Sequence, residues 1–179
     1  MEQDGVDSKK HTPADMVERY YSEYRQLARR VLGRDSASAY IQPTELAHEA
    51  ALRIFKLERM DISGRTHFLS LSARVMRQVL IDEVRRFRAQ KRQTPQVLTQ
   101  WPLNGQDAAP QAFDIEDFHE ALKRLEAIDP ERAKIVEQRF FAGLTIEEIA
   151  AASGVSESTV KRQWRVARAW LIDELSQRQ

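Results

Sequence analysis

The chain has 179 residues, 28 of them basic and 27 acidic, for a net charge of +1. Any affinity for nucleic acid must therefore come from local segregation of charge, because no cationic coat is present. The absence of cysteine excludes disulfide frameworks, thiolate metal sites and cysteine nucleophiles.

No apolar stretch approaches the ~20 residues of a membrane span, and the polar amino end lacks the apolar core of a signal peptide, so a soluble cytoplasmic protein with no membrane contact is expected. Residues 1–11 are predicted to be disordered. Order is predicted to begin at Thr12-Pro13-Ala14-Asp15, with a capping threonine, proline at the first helical position and an acid in the first turn. Met16, Val17, Tyr20, Tyr24, Leu27, Ala28 and Val31 then recur at helical spacing up to Gly33. Pro43 opens another helix, in which Leu46, Ala50, Ile54 and Leu57 share a face. After a loop around Ser63-Gly64-Arg65, a long helix carries Phe68, Leu71, Val75, Val79 and Val84 and runs into the basic stretch Arg85 to Arg92.

Between Thr94 and Phe113 the texture changes. Pro95, Pro102, Gly105 and Pro110 cannot continue a helix, so 94–113 reads as a flexible linker with no strand of alternating pattern. Phe118, Leu122 and Leu125 mark the next helix, and Asp129-Pro130 caps and starts another. Phe140, Phe141 and Leu144 then lead into Thr145-Ile-Glu-Glu-Ile-Ala-Ala-Ala-Ser-Gly-Val-Ser. This last segment is the most informative. Thr145 and Glu148 form a capping box, Ala150 lets two helices approach, Gly154 turns the chain, Ser156 caps the second helix and Val160 seats it. The second helix is expected to expose Lys161, Arg162, Arg165 and Arg168, as a helix-turn-helix does in the major groove of DNA. Trp164 and Trp170 read as core anchors. The predicted architecture is all-α, with two small helical domains at 12–93 and 114–179.

Together the two domains resemble a bacterial sigma factor of the extracytoplasmic-function (ECF) type. The stretch Pro43 to Lys56 looks like that family's core-polymerase-binding helix. The segments Ala73-Arg74-Val75-Met76-Arg77-Gln78 and Ile81-Asp82-Glu83-Val84-Arg85-Arg86 look like the helix that reads the minus-ten element, and the terminal helix-turn-helix is similar to the reader of the minus-thirty-five element. The resemblance implies no catalysis and no cofactor. It implies binding to RNA polymerase core, at the clamp of the largest subunit, and to promoter DNA. Glu45, Glu49, Arg53 and Phe55 would hold the polymerase. Arg74, Arg77, Arg85 and Arg86 would contact phosphates near the minus-ten element, with Gln78 at the pocket for an unstacked base and the loop Ser63 to His67 as its wall. Ser158, Lys161, Arg162, Arg165 and Arg168 would read the minus-thirty-five element, where an arginine can pair bidentately with guanine.

The sequence departs from the family pattern in two places. Val166 replaces a commonly basic position, so the target sequence does not transfer. At Gln42-Pro43-Thr44-Glu45 the usual acidic cluster is reduced to Glu45. Phosphorylation of Thr44 by a serine/threonine kinase would restore charge there, at a helix start that favours anions; whether an anti-sigma partner exists stays open. A partly buried His48 is expected, and His11, His67 and His119 are assigned no chemistry. The rival reading is a helix-turn-helix repressor or response-regulator output protein acting without polymerase.

Overall fold

Helix α1 (Pro13–Arg19) begins where the sequence places it. The Thr12 hydroxyl accepts from the Asp15 amide at 3.2 Å, and the Asp15 carboxylate accepts from the Thr12 amide at 3.1 Å. This is a reciprocal cap. The computed structural model that shows it describes residues 12–33, 40–57, 60–90, 98–100 and 112–177. The expected disorder at 1–11, the end of the basic run at Lys91 and Arg92, and most of the linker lie outside the described residues.

The helix expected to continue to Gly33 is two helices. Tyr20 leaves helical geometry (φ −111°, ψ 27°), and α2 (Tyr21–Val31) restarts beyond it. The break brings the Tyr20 and Tyr24 rings onto Phe68, each with centroids 5.9 Å from it. Helix α3 (Pro43–Phe55) buries Leu46, Ala50 and Ile54 as expected, whereas Leu57 lies past its end. Helix α4 (Arg65–Gln90) follows Gly64, whose φ of 126° suits a residue without a side chain. It buries Phe68, Ala73, Met76, Leu80, Ile81 and Val84. Helices α2, α3 and α4 pack mutually. The buried Tyr24 hydroxyl donates to the Ala47 carbonyl at 2.9 Å, and burial pushes its pKa up, so it stays a neutral donor.

The linker is not wholly without structure. Strands β1 (Leu98–Gln100) and β2 (Ala112–Asp114) pair antiparallel, Leu98 opposite Asp114 and Thr99 opposite Phe113. Phe113 is buried and Asp114 caps the following helix, so β2 is tied to the second group at both positions. That group comprises α5 (Ile115–Ile128), α6 (Pro130–Val136), a π-helical turn (Glu137–Phe141), α7 (Ile146–Ser153) and α8 (Glu157–Ser176). Asp129 caps α6 through the Arg132 amide at 3.0 Å, with Pro130 in its first turn. The wider π turn places Phe140 and Phe141 together against Phe118, at centroid distances of 4.7 and 5.7 Å. The all-α class is as expected. The second group also packs on α4, chiefly through its π turn, α5 and α7.

Candidate nucleic-acid interface

The helix-turn-helix is built as its sequence requires. The Thr145 hydroxyl accepts from the Glu148 amide at 3.1 Å and the Glu148 carboxylate accepts from the Thr145 amide at 2.8 Å. Gly154 ends α7 in the left-handed region, with φ 67°, a conformation that costs a residue bearing Cβ about 1–2 kcal/mol. The Ser156 hydroxyl accepts from the Thr159 amide at 3.2 Å and starts α8. Ile149, Ala150 and Val160 are buried between the two helices.

This packing leaves Ser158, Lys161, Arg162, Arg165 and Val166 exposed on α8. Lys161 pairs with Glu157 at 3.1 Å, one turn back and in the open. Arg168 departs from the expectation. It is only half exposed, and its Nε is buried without a hydrogen-bond partner, because it lies on the inner side of α8 beside buried Ala167 and Leu171. Trp164 and Trp170 pack against the core as expected, Arg139 lying 5.7 Å from the Trp164 ring centroid.

Along α4, Arg74, Arg85 and Arg86 are exposed, and Gln78 is exposed with its amide donating to Asp82 at 2.8 Å. Arg77 does not fit a surface phosphate contact. It is 4% exposed, forms an ion pair with Glu137, and donates to His119 Nδ1. Its position explains this: Arg77 falls four residues after Ala73 and four before Ile81, on the buried stripe of α4. Burial works against its charge and the Glu137 carboxylate works for it. His119, assigned no chemistry from sequence, lies at the centre of this contact. Burial, and then the Arg77 charge, push its pKa down to about 4, so the ring is neutral with Nδ1 free to accept.

The expected polymerase face lies on α3. Glu45 and Glu49 are exposed, and Glu45 also accepts from the Gln42 amide at 2.9 Å to cap the helix. Phe55 and neighbouring Leu52 are 39% and 42% exposed, an apolar pair that this fold leaves uncovered. Arg53 is tied to α4, pairing with Asp82 at 2.8 Å, and its side chain stays 39% exposed. Thr44 is exposed in the first turn and borders a groove of about 570 Å³ with Glu45, His48, Glu49, Glu83 and Arg86. His48 is exposed rather than partly buried, because it points away from the Leu46–Ala50–Ile54 stripe. Of the stretch expected as a loop walling a base pocket, Arg65 to His67 form the first turn of α4, and His67 holds the residues before it, its Nδ1 accepting from the Ser63 amide at 3.2 Å. Among the described residues no cluster of His, Asp and Glu is placed to hold a metal ion, and no helix is long and apolar enough to cross a membrane.

Two features are thus on one chain: a helix-turn-helix presenting cations from the start of its second helix, and a helical bundle whose longest helix carries a row of arginines. No curated protein matches the chain. A family model described as ECF sigma factor matches residues 3–177, nearly the whole length. The chain belongs to the ECF sigma factor family.

Proposed function

We propose that the chain is an alternative sigma factor whose two groups of helices divide the work of promoter recognition, 12–93 holding polymerase core and the minus-ten element, 114–179 reading the minus-thirty-five element. The observation that carries this division is the exposure of Ser158, Lys161, Arg162 and Arg165 on one side of α8, at the end a helix-turn-helix inserts into the major groove. Arg162 and Arg165 have the reach for guanine edges, whereas Ser158 and Lys161 suit backbone oxygens. Arg168, half-buried, supports the helix from within. On the first group, Glu45 and Glu49 offer charge and Leu52 and Phe55 offer apolar area to the polymerase clamp. Arg53 acts on that face by bracing α3 against α4 through Asp82. Arg74, Arg85 and Arg86 supply phosphate contacts, with Gln78 beside them for a base edge.

Thr44 is the regulatory position in this reading. Its hydroxyl lies in the first turn of α3, exposed to a kinase, in a first turn where Glu45 is the only acid. A phosphate adds about −1.5 to −2 charges at a helix end that favours them. Run-off transcription with purified core polymerase on genomic fragments tests the whole assignment. Wild type, Thr44→Ala, Thr44→Glu and kinase-treated protein should rank by charge at residue 44, and Arg162→Ala/Arg165→Ala should abolish promoter selection. Binding to a palindromic duplex without polymerase, and no stimulation of core in any state of Thr44, would overturn it in favour of a repressor.

A further inference from the structure

Among the described residues, the ion pairs found between the two groups of helices share a direction. Arg65 pairs with Glu148 at 2.7 Å and Arg74 with Glu126 at 2.5 Å. Arg77 pairs with Glu137. Arg85 reaches Glu116 at 3.0 Å and Glu120 at 2.9 Å, and Arg88 reaches Asp114 at 2.6 Å and also Glu116. In each of these pairs the cation belongs to the first group and the carboxylate to the second. As the arginine number falls from 88 through 85 to 74, its partner's number rises from 114 through 120 to 126. The acidic edge of α5 therefore runs antiparallel along α4. From Arg74 to Arg88 the row covers about 21 Å at the rise of an α-helix.

From this matching of charges we infer that the acidic edge of α5, with β2 and the π turn, is a built-in competitor for the nucleic-acid surface of α4, standing where phosphates would stand. The inference rests on reading α4 as that surface. Carboxylates along α5 neutralise Arg74, Arg85 and Arg88 in the free chain, while Ser63 and His67 stay exposed at a cleft of about 630 Å³ whose far side is formed by Lys134, Gln138 and Ser153.

The seam has the character of a contact that opens. Side chains of Arg74 and Arg85 remain 54% and 45% exposed in their pairs, so each pair is weak and screened by salt. Between the groups Gln138 donates to Ser70 at 3.3 Å, yet its other amide atom, Oε1, is buried with no partner, as is Arg77 Nε. Buried polar atoms left unpaired weaken a contact relative to an apolar one. Arg77 with Glu137 is the buried centre; the flanking pairs form a rim that phosphates can displace.

The test uses the full chain and a short fluorescent single-stranded oligonucleotide, measured by anisotropy over a salt series. Glu116→Gln/Glu126→Gln removes three of the rim pairs while keeping side-chain size. The matched control Glu18→Gln/Glu131→Gln removes the same charge from exposed positions, near the end of α1 and in the first turn of α6. The rim variant should bind about tenfold more tightly than the control, the sum expected for three partly exposed pairs. Its dependence of log affinity on log salt should steepen by about 0.7, one freed phosphate contact at Arg74, because Arg85 keeps Glu120 and Arg88 keeps Asp114. Glu126→Gln alone, near the carboxyl end of α5, should move both quantities in the same direction. If rim and control variants bind with the same affinity and slope, the competitor idea is wrong, even where run-off transcription with core shows the protein to be a sigma factor. Absence of core-dependent transcription together with a tightened, steeper rim variant would instead leave the competition standing and remove the sigma assignment.

Discussion

Acidification should destabilise this protein through one histidine. His119 is 3% exposed and its pKa is pushed down to about 4, against about 6.5 for a free imidazole. The unfolded chain therefore binds a proton between those two values that the folded chain refuses, and stability falls as pH falls across that window. Between pH 7 and pH 4.5 the loss from this group alone is about 2.5 kcal/mol, out of a full span of roughly 3.4 kcal/mol for a shift of that size at 1.36 kcal/mol per unit. Carboxylates held low by hydrogen bonds, such as Glu148, which against the opposing effect of burial accepts from the Thr145 amide and then from Arg65, lose stabilising charge in the same direction but at more acid pH. The comparison of wild type with His119→Gln separates the two, since glutamine keeps an acceptor for the Arg77 guanidinium and cannot titrate. Urea unfolding followed by circular dichroism at pH 7 and pH 4.5 gives the two free-energy differences. The variant should lose about 2.5 kcal/mol less than wild type on acidification. Equal losses would mean that His119 takes its proton in the folded state, and that its contact with Arg77 is not maintained in solution.

Three other outcomes follow from particular side chains. Phe118→Ala removes the ring against which Phe140 and Phe141 pack, and should cost about 3–5 kcal/mol in urea unfolding. Gly154→Ala forces a Cβ into the left-handed region in open space, so about 1–2 kcal/mol of strain with no clash should appear as a lower melting temperature. Arg162→Ala should weaken binding to promoter duplex in the polymerase complex by about 1–3 kcal/mol if it reads a base; if it contacts only phosphate, the loss is uniform across sequences and the salt slope falls by about one.

Much of the second group was legible because its signals are local. Thr145 with Glu148, Asp129 with Pro130, Gly154 and Ser156 each fix a helix end within four residues, and each end lies where the sequence puts it. The break at Tyr20 was not legible, because the apolar period runs through it and only the rings meeting at Phe68 make it favourable. Nor was the pairing of β1 with β2, which joins segments more than ten residues apart across a stretch rich in proline. Arg77 and His119 illustrate a missed signal that was present. Arg77 continues the Ala73–Ile81 stripe and His119 lies four residues past Ile115 on the apolar side of α5, so periodicity alone marks both as inward-facing. Charge type obscured it, since cations are ordinarily read as solvated. The partners of Arg77, 42 and 60 positions away in sequence, required the folded chain.

Glu148 has two fixed obligations: its carboxylate closes the box that starts α7, and it also receives Arg65 from the first turn of α4. Because the first bond already immobilises the side chain, the second needs little additional ordering, and Arg65 meets an acceptor whose aim is set by the geometry of the helix-turn-helix. Replacing Glu148 with a residue that cannot accept from the Thr145 amide would therefore disturb the start of α7 and the tie to Arg65 together, whereas glutamine would keep the box and lose only the charge opposite Arg65.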